Sequence, residues 1–134
     1  MPAPLSFDYA VRRVVPRVER EEFVNAGAIV FCSERDWLEA RVELAPGRVL
    51  ALFPGADLAL IEEHLNAVPR VAAGSDDSGP IGRLSRRERF HWLVAPRSTL
   101  LQVSPVHSGL TEDPAQSLER LMETIVRMPH EPRA

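Results

Sequence analysis

A chain of 134 residues is the size of one domain, and at that length folding buries roughly two thirds of the unfolded chain's surface, enough for a single core. Its apolar share of 45%, charged share of 26%, net charge of −3 and pI ≈ 5.8 describe an ordinary soluble protein and argue against nucleic acid or an acidic membrane as partner. No run approaches the ~20 apolar residues that a membrane span needs, and Met1 to Ser6 carries neither a charged leader nor an apolar core segment, so a cytoplasmic location is expected. All 16 basic residues are arginine, which fits the codon bias of a GC-rich genome better than selection for phosphate forks. Cys32 is the single cysteine; it excludes an intrachain disulfide and, ending an apolar run, reads as a buried thiol.

In chain order, residues 1–6, rich in proline and alanine, form a lead-in expected to be poorly fixed, like the tail 129–134. Phe7 to Val15 alternates as a first strand, with Phe7, Tyr9, Val11, Arg13 and Val15 on one face and Asp8, Ala10, Arg12 and Val14 on the other. Pro16 ends it, and the charged segment 17–21 is a solvated turn. Glu22 to Phe31 is almost entirely apolar, the pattern of a strand covered on both faces, and is placed at the centre of a sheet. Val24, Ala26, Ala28, Val30 and Cys32 are expected on one side; Phe23, Asn25, Gly27, Ile29 and Phe31 on the other.

Trp37 to Leu44 alternates cleanly as a third strand, Pro46-Gly47 supplies a turn, and Arg48 to Phe53 is expected to return as a fourth. Asp57 caps a helix whose stripe is Leu58, Ile61, Leu65 and Val68, ending at Pro69. Segment 72–82 is small, polar and aperiodic, hence a mobile loop. Ser85 and Glu88 make a capping box for a short helix through Val94, with Phe90 on its buried side. Pro96 closes it, and Ser98 to Pro105 is a last strand. Asp113-Pro114 opens a final helix with Leu118, Leu121, Met122 and Ile125 buried, an exposed Glu123–Arg127 pair, and a stop at Pro129. The sum is one α+β domain spanning 1–134: an antiparallel sheet of four to five strands with about three helices packed mainly on one face.

Polar residues in apolar places are the candidates for function. Asn25 in a covered strand must find partners, since an unpaired buried amide costs about 1–3 kcal/mol; it either ties down a neighbouring turn, through Glu22 or Arg13, or floors a pocket. Gly27 permits the close approach of another backbone, a bulge or a ligand. Arg13 is either paired with Glu22 or directed into a cleft. Arg83, Arg86, Arg87 and Arg89 make the most basic stretch, but arginines at a helix start oppose the helix dipole and normally face solvent, and Phe90 and Trp92 are too few for a single-strand stacking platform. His64, His91, His107 and His130 lack metal-ligand spacing; Ser98, Ser104 and Ser108 lack a nucleophile elbow; no phosphate-cradling glycine loop is present. Neither a metal nor a cofactor is expected, and no catalytic motif supports an enzyme.

Several of these residues fall into a larger pattern. Tyr9-x-Val11-x-Arg13-x-x-Pro16, Arg20-x-Glu22-x-x-Asn25-x-Gly27, Trp92 to Thr99, Gln102 and Ser104 to Gly109 together resemble domain-of-unknown-function family 3037, small stand-alone bacterial proteins. The family carries no established activity; the resemblance implies a partner of the HipA-like kinase class. A binding or regulatory module acting on a protein partner is therefore expected, through Arg13, Glu22, Asn25, Arg97 and Gln102, with Arg20, Gly27 and Ser98 in the same cluster. The alternative is a small enzyme or ligand-binding protein for a phosphate-bearing substrate, gripped by Arg13, Arg20 and Arg97. Arg13, Asn25 and Arg97 must then converge at a concave site.

Overall fold

The alternating stretch near the start of the chain becomes β1 (Leu5–Val14), and much of the sheet pairs with it. In the computed structural model, which describes residues 3–97 and 99–127, β1 lies antiparallel to β2 (Val24–Cys32), whose other neighbour is β3 (Trp37–Val42). On its far side β1 pairs with two short strands, β4 (Leu101–Val103) beside Arg12 to Val14 and β5 (His107–Thr111) beside Leu5 to Tyr9. The result is the expected α+β domain with a five-stranded antiparallel sheet. Leu5 and Ser6 already belong to β1, and residues 129–134 lie outside the described residues.

Three helices lie on one face. They are α1 (Pro46–Leu52), α2 (Leu58–Ala73) and α3 (Arg86–Val94). The Asp57 carboxylate accepts from Leu60 N and the Ser85–Glu88 capping box is complete, so both starts follow their local signals. Ile61, Leu65 and Val68 of α2 are buried, each contributing about 1.5–3 kcal/mol of apolar transfer. A fourth helix, α4 (Pro114–Leu121), covers the opposite face and runs into a π turn, Met122–Val126. Leu118, Met122 and Val126 pack there on Phe7, Ala28, Val30 and Cys32.

Several local expectations fail for identifiable reasons. Arg48 to Leu52 is helical, because Pro46 sits at the first helical position, where its missing N–H costs nothing, and Val49 can then enter the core. α2 passes through Pro69 and stops at Gly74, whose φ of 67° suits a glycine cap. Within the last strand expected over Ser98 to Pro105, Leu101–Val103 forms β4, and β5 (His107–Thr111) is a further strand beyond Pro105. Arg127 reaches Glu119 and Glu43 instead of Glu123, since the π turn breaks the four-residue stacking that would align that pair. Segment 72–82 holds the end of α2 and two short 3₁₀ turns, Asp76–Ser78 and Pro80–Arg83.

The most consequential departure is in β2. Its register against β1 slips between Arg12 and Arg13, so that Arg12 lies opposite Gly27 while Arg13 lies opposite Asn25, leaving Ala26 as an extra residue. The bulge inverts the alternation. Val24 and Ala26 pack with Val49, Ile61 and Leu65 under the three helices, whereas Ala28, Val30 and Cys32 face α4. The expected single face from Val24 to Cys32 is therefore two half-faces.

Candidate functional site

Alternation along β1 sends Arg12, between Ala10 and Val14, toward α2 and α3. Its side chain is 6% exposed. One guanidinium nitrogen, Nη1, donates to the Leu93 carbonyl at the end of α3, 3.1 Å away, and Nε has no acceptor. Pro96 ends the segment after α3 and brings Arg97 back over its last turn. There the guanidinium lies 4.5 Å from the centre of the Trp92 ring and Nη2 donates to the Trp92 carbonyl at 3.0 Å. Arg97 Nη1 is buried without a partner among the described residues.

Both arginines line a cleft of about 410 Å³ between α2, α3 and the segment leading into β4. Its walls are mainly apolar, with Val68 and Val71 from α2, Trp92 from α3, and Leu100 and Leu101; His64 and Thr99 are the other polar lining residues. No Asp or Glu is among the described lining residues. Burial, and secondarily the neighbouring positive charge of Arg97, push the Arg12 pKa down to about 10. It is still a cation at neutral pH. A displacement of that size corresponds to about 3 kcal/mol against the charged form in the empty fold.

The residues singled out from sequence divide between two places. Arg13, Asn25 and Gln102 form one row across β2, β1 and β4. The Asn25 amide donates to the Ile125 carbonyl in the π turn, so this row faces α4, and its oxygen is left without a donor. Asn25 thus secures a turn, but one a hundred residues away rather than the one beside it. Arg13 stacks at 4.1 Å over Phe23 instead of pairing with Glu22, which is held by Arg20. Gln102 donates to Thr99 O. Gly27 packs toward Val42 on the helical side of the bulge, not with Asn25; a Cβ there would sit 2.7 Å from the Arg41 carbonyl oxygen. Ser98 lies outside the described residues. Arg13 and Asn25 accordingly do not converge with Arg97, and the residue that does is Arg12. Its signal is present in the sequence as an arginine on the Ala10–Val14 face, one step from Arg13.

The sequence model of a family described as "Protein of unknown function (DUF3037)" matches residues 9–126. No curated protein and no solved structure matches the chain.

Proposed function

The chain belongs to the DUF3037 family, and from that premise we propose that it is a binding module of the bacterial cytoplasm that takes a small anion-bearing ligand into the cleft between Arg12 and Arg97. The carrying observation is the meeting of two arginines at an apolar cleft with no carboxylate among the described residues that line it. A buried cation without a counter-charge is costly, and a ligand anion offsets that cost while accepting the free N–H groups. This keeps the anion-binding alternative drawn from the sequence and moves it from Arg13 and Arg20 to Arg12. The bacterial setting rests on the family resemblance, and the cytoplasmic one is an expectation drawn from the sequence. Native mass spectrometry of the protein taken gently from its host is expected to retain a small acidic mass that Arg12→Met releases; no retained mass, or one held equally by the variant, sinks the reading.

A second reading, the protein-partner module with a HipA-like kinase-related partner, is favoured by the sheet edge. β4 and β5 each pair only with β1 among the described residues, and Leu110 of β5 is 71% exposed. A co-purifying protein lost on Leu110→Arg but kept by Arg12→Met supports it, and retention by both variants removes this edge from consideration.

A further inference from the structure

We propose that the ligand of this cleft is a single-headed amphiphile, a carboxylate or phosphate monoester on an unbranched or aromatic apolar body. The inference rests on the anion-binding reading above and adds the shape of what is bound. Arg12 and Arg97 supply the head-group site: each spends one N–H on a carbonyl of the last turn of α3 and keeps a buried one free. The rest of the lining is mainly apolar, with Val68, Val71, Trp92 and Leu101 as the surfaces a hydrocarbon or ring would cover and His64 and Thr99 as its other polar side chains.

What the walls lack narrows the class further. Sugars and ribose bring several hydroxyls, for which the described lining side chains offer only Thr99 and His64 as acceptors, and amino acids need a counter-charge for their ammonium, for which no Asp or Glu is among them. No glycine lines the cleft, so a backbone cradle for a polyphosphate is missing from the same set. A volume of about 410 Å³ also lies toward the small end of ligand pockets, commonly about 300–1,000 Å³. One anionic head and one apolar body match this lining; a nucleotide does not. Two cations side by side accept a carboxylate or a phosphate equally by charge, so the head group is decided by experiment.

Calorimetric titration of the full chain, below micelle-forming concentrations, with hexanoate, octanoate, decanoate, octyl phosphate, 1-octanol, inorganic phosphate and adenosine monophosphate tests this. Affinity is expected to rise about fourfold per added methylene until the cleft is filled, and octanol to bind at least tenfold more weakly than the octyl anions. Arg12→Met is expected to abolish the difference between octanol and the anions, and Arg97→Met, on a more exposed segment, provides the same readout if the first variant folds poorly. The stronger of octanoate and octyl phosphate identifies the head. Inorganic phosphate or the nucleotide binding as tightly as octyl phosphate, and lost on Arg12→Met, overturns the amphiphile while leaving an anion cleft standing. Octanol matching octanoate, or no probe binding, overturns both.

Discussion

Two arginines are buried on the helical side of this protein, and they are buried for different reasons. Arg89 of α3 donates to Leu84 O at 2.6 Å and to Ala72 O at 3.2 Å. The second of these is a carbonyl of the last turn of α2, where helical partners run out and a cation is favoured by the dipole. Arg12 has one carbonyl, a neighbouring cation and a cleft. Each leaves its Nε without an acceptor, so an orphaned nitrogen by itself does not mark a site. The distinction lies in what surrounds the guanidinium. Arg89 joins the end of α2 to the segment just before α3, while Arg12 places a charge at an opening with no carboxylate among the described residues that line it. The first serves the fold; the second, charged against the cost of its burial, is the one proposed to take a ligand.

Arg89→Met is expected to have the largest effect, a loss of about 2–4 kcal/mol in denaturant unfolding, because a buried carbonyl, Ala72 O, and a half-buried one, Leu84 O, lose a charged donor. A loss below about 1 kcal/mol would erase the contrast. Gly74→Ala acts on the same clamp: φ is 67°, and a Cβ would lie 3.0 Å from Gly82 O and 3.2 Å from Arg89 Cζ. About 1–2 kcal/mol should be lost, and an unchanged midpoint would show that the Arg89 geometry is slack.

Arg12→Met is expected to leave stability unchanged or raise it by up to about 2 kcal/mol, since an apolar chain of similar length removes the desolvated charge. The sign with pH follows from the pKa being lowered to about 10. Below that pH Arg12 is charged in both states and its cost is complete; between there and its ordinary value the folded form sheds the proton first, so the cost fades. The advantage of Met over Arg is therefore constant through neutral pH and shrinks at alkaline pH, which paired unfolding curves can check. The smallest effect belongs to Glu119→Gln. Arg127, and then Arg41, hold the Glu119 carboxyl below the usual carboxylate range, so its contribution is present above that range and is lost as pH falls through the lowered value. The pair is exposed, and its small effect on the midpoint should disappear in high salt.

Caps and strand alternation were legible because their partners lie within a few residues. Asp57 with Leu60, Ser85 with Glu88 and Asp113 with Ala115 are such cases. Arg48 to Phe53 was not, since the short apolar run Val49 to Phe53 satisfies either periodicity and only the core decides. The bulge at Ala26 was invisible: the period of two runs through it unbroken in sequence, and only pairing with β1 reveals the extra residue. The site was half legible. Arg97 was among the expected residues and lines the cleft, whereas Arg13 and Arg12 differ by one step, and one step along a strand reverses the face. Nothing local says which of two adjacent arginines meets α3, because that contact joins residues 81 apart in the chain.

The most direct measurement is the urea midpoint of wild type and Arg12→Met, each with and without saturating octanoate or octyl phosphate. A ligand that binds only the folded state raises its midpoint. Wild type should be raised, while Arg12→Met, at least as stable without ligand, should not move. A variant that unfolds as easily as Arg89→Met, or a ligand that raises both proteins equally, would contradict the assignment of Arg12 to binding rather than to the fold.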